Sequence, residues 1–236
     1  IIYTSMTADK RKYGFRRAFT LRPHLLKGML SISGWTMVQS FISVSIWFIF
    51  FLAIEHLGER PLAVTNIVRN ISALLIMVIS AFATTAGALI SNQIGAGEQR
   101  CLFKTCGMTL KLTYAILIPL LIILCLFPEP VLRAFTDSPS LIAASVNSVY
   151  VMASSTLIMA PSFILFNAVS GTGNTKAGFI MEMISLAVYT AVIYYGIIRL
   201  KPDVALCWFS EHVYGVTLIF LAWWYLKSGK WRGKKV

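Results

Sequence analysis

The chain has 236 residues, 57% of them hydrophobic and only 13% charged, with 21 Lys and Arg against nine Asp and Glu. Soluble domains carry about 25% charged residues, so this composition cannot coat a water-exposed globule of such length. The net charge of +12 is accounted for by topology, as shown below, and no nucleic-acid partner is expected.

Apolar runs of hydrocarbon length define the elements. A helix needs about 20 predominantly apolar residues to cross the core of a bilayer. Such runs must be helical, because a backbone amide left unpaired in lipid costs several kcal/mol. Gly28 to Ile54 holds no charge and forms the first expected span. Leu62 to Arg69 with the charge-free Asn70 to Gly97 forms the second, and Leu102 to Phe127, interrupted by Lys111, the third. The fourth lies within the charge-free run Ser138 to Thr175. Ala177 to Ile198, interrupted by Glu182, is the fifth, and Val204 to Leu226, interrupted by Glu211 and His212, the sixth. The expected fold is therefore all-α: a polytopic membrane protein with a six-helix transmembrane bundle. Gly58-Glu59-Arg60-Pro61, Gly95-Ala96-Gly97-Glu98, Pro128-Glu129-Pro130, Gly171-Thr172-Gly173-Asn174 and Lys201-Pro202-Asp203 separate the spans. Gly permits left-handed helix ends and Pro prevents continuation. Pro119 and Pro161 fall inside spans and are expected to kink them.

Basic residues set the orientation. The segment before the first span, the second and fourth connections and the tail together hold 15 Lys and Arg, against four on the opposite side. Positive loops stay in the cytoplasm, so both ends of the chain are expected there, in a multi-pass protein of the cell membrane. Residues 1–26 read as a basic cytoplasmic linker, 27–226 as the six-helix lobe and 227–236 as a basic cytoplasmic tail that can touch anionic lipid. Trp223, Trp224, Tyr225 and Trp231 suit the interface at that side. The chain begins Ile1-Ile2 without a signal-peptide pattern, and reads as part of a longer protein. Its four cysteines have neither zinc spacing nor a disulfide pattern.

Charges inside spans are costly and are candidate functional sites. At 1.5 Å per residue, Arg69 and Glu211 both lie roughly 10 Å below the outer surface, and Lys111 and Glu182 roughly 10 Å from the cytoplasmic one. Two charge-matched layers are expected: Arg69 with Glu211 and His212, and Lys111 with Glu182. A carboxylate beside a histidine can exchange protons near neutral pH. Polar uncharged residues draw stripes at helical spacing. Thr36, Gln39 and Ser43 share a face of the first span, and Asn147 marks the fourth; these four are candidates for lining a substrate cavity. Ser80, Thr84, Gly87 and Ser91 read better as helix-packing residues. No GxxxxGK[ST], HExxH or GxSxG motif occurs, and neither a metal, an organic cofactor nor enzyme activity is expected.

The breaks also carry a resemblance. Ile94-Gly95-Ala96-Gly97 ends the second span and Ser170-Gly171-Thr172-Gly173-Asn174-Thr175 the fourth. Leu57-Gly58 with Leu62-Ala63 joins the first two spans, and the last span runs from Trp208 to Trp231. In order and spacing this resembles the C-terminal six-helix lobe of the multidrug and toxic compound extrusion (MATE) family, over roughly Leu25 to Trp231. The resemblance implies one lobe of a two-lobe, twelve-helix transporter with a central cavity. It implies export of cationic or amphiphilic small molecules, with protons or sodium as the coupling ion, and an N-terminal six-helix lobe as partner. Some branches of the family carry acidic coupling residues midway along the lobe's first and fourth helices. Phe48 and Met159 stand near those positions here, and neither binds a cation as a carboxylate does. The alternative within the same lobe design is a lipid-linked precursor flippase.

Overall fold

The computed structural model describes residues 23–232, with the backbone alone for residues 24, 25, 27–29, 31 and 32. Most of the expected linker, residues 1–22, and the end of the tail, residues 233–236, lie outside the described residues. The described chain is helical throughout, without a strand. Six of its helices are long and apolar enough to cross a membrane, and they coincide with the six charge-poor runs of the sequence.

Helix α1 spans Pro23–Glu55 and α2 Glu59–Gly95, joined at Gly58, whose φ of +119° requires a residue without a Cβ. Glu59 sits in the first turn of α2, where a negative charge is favoured by the helix dipole. A short 3₁₀ turn leads into α3 (Leu102–Leu126), and the one-and-a-half-turn α4 (Pro128–Arg133) follows. Helix α5 (Pro139–Gly171) is preceded by Ser138 and has Pro at its first position, where the missing N–H costs nothing. Asn174 caps α6 (Thr175–Val192) by accepting from the Ala177 amide. The fifth span then continues as a π-helical segment, Ile193–Arg199. Asp203 caps the short α7 (Val204–Cys207), and α8 (Ser210–Ser228) ends at Gly229 in the left-handed conformation.

Both internal prolines lie within unbroken helices. Pro161 has no amide hydrogen for the Leu157 carbonyl one turn back. Tyr114 of α3 supplies the missing donor: its hydroxyl reaches the Leu157 oxygen at 2.7 Å. In a lipid environment a carbonyl freed by proline must find such a partner.

Helices α2 and α5 form the most extensive contact of the bundle. Its closest point is glycine against backbone: a Cβ on Gly171 would stand 2.5 Å from the Gly87 carbonyl oxygen, and one on Gly87 2.9 Å from that of Asn167. Small residues let membrane helices approach this closely, so the packing role expected for Gly87 holds. One apolar core joins α2, α3, α5 and Trp208, and a second joins α2, α3, α5, α6, α8 and Trp231 towards the end that carries both termini. Helix α1 belongs to a third, smaller cluster and touches the first core through Phe50, whose ring meets Trp208 edge to face. It attaches chiefly to α6, and then to α2 and the π-helical segment, with Phe50, Ala53 and Ile54 against Tyr189, Ile193 and Ile197. The peripheral attachment of α1 leaves a cavity between it and the rest of the bundle.

Candidate functional site

That cavity has a volume of about 620 Å³, within the range of small-molecule sites. Helix α1 contributes Ser43, Trp47, Phe48 and Phe51 to its wall; α2 contributes Arg69, Ser80 and Thr84; α5 contributes Phe163, Phe166 and Asn167. Helix α6 adds Glu182 and Tyr189, and α8 adds Glu211 and Tyr214. The wall is mostly aromatic and aliphatic, with ionisable groups at a few points.

The two carboxyls are held by hydroxyls. Glu182 is 4% exposed; Oε1 accepts from Ser43 of α1 at 2.9 Å and from the Tyr214 hydroxyl of α8 at 2.9 Å. Three spans therefore meet at one carboxyl. Glu211 is 7% exposed and accepts from the Tyr189 hydroxyl at 2.7 Å. The Tyr189 and Tyr214 rings pack edge to face, 5.8 Å between centroids. Ser43 Oγ is also 3.0 Å from the Gln39 carbonyl oxygen. A hydroxyl has one hydrogen, so Ser43 can donate fully to only one of these two acceptors at a time.

The expected charge layers are not ion pairs. Arg69 does line the same cavity as Glu211, but its guanidinium lies over the Phe51 ring, 5.1 Å from the centroid, while Glu211 is bound to Tyr189. His212 follows Glu211 by one residue and so points about 100° further round the helix. Its Nε2 is 2.9 Å from Ser154 Oγ and its ring stacks on Phe209, away from the carboxyl. Lys111 and Glu182 are separated by the packing order: α3 lies against α2 and α5, whereas α6 lies against α8 and α1. Lys111 sits exposed among the exposed Met108 and Leu112, a lipid-facing position from which a long side chain snorkels.

Of the polar stripe on α1, only Ser43 reaches the cavity wall; half-buried Gln39 and exposed Thr36 lie progressively nearer the helix start. Asn147 is exposed on α5 and is not part of the wall, whereas Asn167 further along the same helix is. Ser80 and Thr84, read as packing residues, line the cavity instead. The sequence reading missed Tyr189 and Tyr214. A signal was present: Tyr214 follows Glu211 by three residues and Tyr189 follows Glu182 by seven, spacings that share a helix face. Phe48 and Met159 both line the cavity, so acidic residues at those positions would have faced it.

A six-span bundle with an aromatic, carboxyl-bearing cavity beside its first helix defines a polytopic membrane protein. Residues 36–195 match the MatE family model, and the chain belongs to that family. The fold is shared with solved structures. The Vibrio cholerae MATE transporter VcmN in its bent form has a TM-score of 0.79 at 16% identity, over 88% of this chain and 48% of that one. A multidrug resistance MATE family transporter in an outward-facing conformation gives 0.76 at 14% identity, over 86% and 46%. A MOP superfamily transporter from Pyrococcus furiosus gives 0.74 at 14% identity, over 84% and 44%. The chain thus spans about half the length of the structures it matches. No curated protein matches the chain.

Proposed function

We propose that this chain is one lobe of a two-lobe secondary exporter that moves cationic or amphiphilic small molecules in exchange for protons. In this reading the cavity is half of a central chamber, the other half coming from an N-terminal six-helix lobe, and transport proceeds by rocking of one lobe against the other. The chain has no enzymatic role. Residues 1–26 form the cytoplasmic linker between the lobes, 27–226 the lobe itself and 227–236 a basic tail near anionic headgroups. Both ends lie in the cytoplasm, as the 15 to four division of basic residues indicates.

The observation that carries the reading is Glu182, a buried carboxyl on the cavity wall whose partners among the described residues are two hydroxyls and no base. Intramembrane carboxyls of this kind mark ion pathways. With a proton on Glu182, the carboxyl donates to Ser43 and Ser43 donates to the Gln39 carbonyl. Without it, Ser43 turns and donates to the carboxylate, as Tyr214 does. A cationic substrate in the cavity favours the ionised carboxylate and so competes with the proton, the exchange that an antiporter requires. The aromatic faces of Trp47, Phe48 and Phe51 suit flat, positively charged molecules. The route runs through α6, α1 and α8, and does not need a carboxylate at Phe48 or Met159.

The test is ethidium efflux from vesicles bearing the full-length protein, with an imposed proton or sodium gradient. Proton-driven efflux that is lost in Glu182→Gln supports the reading. Efflux driven by sodium alone would replace the coupling ion. No gradient-driven efflux of any organic cation would favour the lipid-linked precursor flippase.

A further inference from the structure

The fifth span does not finish as an α-helix. Its last seven residues, Ile193–Arg199, form the π-helical segment, a rare geometry that recurs at functional sites. Lys201 follows with a φ of +47°, among the described residues the one non-glycine at positive φ. Glycine adopts that conformation freely, whereas a side chain makes it costly. Both irregularities border one groove. It has a volume of about 220 Å³ and lies between the π-helical segment, α7 and the start of α8. No residue of its wall belongs to the cavity that holds Glu182 and Glu211.

The wall suits hydrocarbon. Its one hydroxyl, on Ser210, already donates to the Cys207 carbonyl at 2.8 Å, so nothing in the wall calls for a polar occupant. Gly196 keeps the groove open: a Cβ there would meet nothing nearer than a Val192 methyl at 4.0 Å. Leu200, Leu206 and Phe209 line the groove and are exposed beside it, apolar surface that lipid tails cover in a spanning bundle. The mouth is basic. Lys201 stands between Leu200 and Pro202, which both belong to the wall. Arg199 lies over the Tyr194 ring, 5.8 Å from its centroid, with Nη2 3.4 Å from the hydroxyl. The neighbouring carboxylate, Asp203, turns to the Val204 amide at 2.8 Å as a helix cap. Two positive charges therefore face one negative charge that is already engaged. Exposed Tyr194 and Tyr195 place this end of the span at headgroup level.

We infer that the groove binds an anionic phospholipid, with one acyl chain lying over Gly196 and the phosphate against Lys201 and Arg199. A soluble anion would satisfy only the mouth and an uncharged lipid only the wall. The inference needs no more than a bundle that spans a bilayer, and is independent of the exporter reading. On the orientation argued from the basic residues, the lipid belongs to the outer leaflet.

Three ligands separate chain from charge: phosphatidylglycerol, phosphatidylcholine with the same acyl chains, and glycerol phosphate. Each is titrated against the purified full-length protein in detergent and followed by thermal shift, and native mass spectrometry counts the phospholipids retained. The wild type should bind phosphatidylglycerol at least about fivefold more tightly than phosphatidylcholine, the worth of one basic residue near an anionic headgroup. Glycerol phosphate should give no shift. Gly196→Leu, which fills the groove, should retain one phosphatidylglycerol fewer, whereas Gly196→Ala should retain as many as the wild type. Lys201→Gly should weaken phosphatidylglycerol by about fivefold. The same change relieves the positive φ, so without lipid its melting temperature should be no lower than that of the wild type, which separates a lost ligand from a damaged fold. Equal binding of the two phospholipids, binding of glycerol phosphate as tight as that of phosphatidylglycerol, or undiminished retention in both Gly196→Leu and Lys201→Gly would overturn the proposal.

Discussion

Tyr189 and Tyr214 pack edge to face at 5.8 Å, and each hands its hydroxyl to a different carboxyl, Tyr189 to Glu211 and Tyr214 to Glu182. The pair spaces two buried acids along one wall and keeps them from sharing a site. Removing the Tyr189 hydroxyl leaves Glu211, with 7% exposure, without a donor among the described residues. Hydrogen bonds to a charged group are worth about 1.5–3 kcal/mol, so Tyr189→Phe should lower the melting temperature of the detergent-solubilised protein measurably. An unaltered melting curve would mean that Glu211 finds another donor.

Glu182 gives the sharpest functional test. Glu182→Gln keeps the shape of the side chain and removes its charge. Proton-driven efflux of ethidium should fall by at least about tenfold, equivalent to 1.4 kcal/mol, while Glu182→Asp, shorter by one methylene, should retain part of it. Equal activity of Glu182→Gln and wild type would remove this carboxyl from the coupling route.

The crossing of α2 and α5 tolerates no side chain. Gly171→Ala places a Cβ 2.5 Å from the Gly87 carbonyl oxygen, a backbone atom that cannot rotate away. The yield of folded, monodisperse protein should drop sharply. Gly107→Ala is the matched control: it lies in the interior of α3 with nothing within 4 Å of the added Cβ. That change should be neutral or slightly stabilising, since Ala is favoured over Gly in a helix by about 1 kcal/mol.

Tyr114 stands in for the amide that Pro161 lacks. Tyr114→Phe leaves the Leu157 carbonyl without that donor, and hydrogen bonds between membrane helices are worth about 0.5–2 kcal/mol. The loss should read out as lowered thermal stability, and Pro161→Ala in the same background should recover it by restoring the helix's own bond. Failure of the second substitution to rescue the first would show that the hydroxyl does not act through this carbonyl.

Orientation is accessible to labelling. In a cysteine-free background, Asp137→Cys, in the connection between α4 and α5, should react with a membrane-impermeant maleimide added to intact cells. Glu98→Cys, at an exposed position in the connection between α2 and α3, should react only after the membrane is opened. The reverse pattern would invert the topology argued from the basic residues.

The positions of the six spans could be read from the chain, because hydrocarbon imposes a length and a charge limit that act locally. The breaks were equally legible: Gly58, Asn174 and Asp203, all in the separating segments, work through their own backbone or the next few residues. Arg69, Glu182 and Glu211 could be singled out as costly because cost depends on depth, and depth is counted along one helix. Their partners could not. Equal depth suggested Arg69 with Glu211 and Lys111 with Glu182, but depth says nothing about rotation or about which helices are neighbours. Only the packing of α6 between α1 and α8 brings Ser43 and Tyr214 to Glu182, and only the placing of α3 on the far side of α2 and α5 turns Lys111 to the lipid. The chain by itself thus determined the spans and their charges, which depend on interactions with solvent and lipid. The tertiary structure decided who meets whom, since a hydrogen bond needs two groups within about 3 Å and only the packed bundle sets that distance.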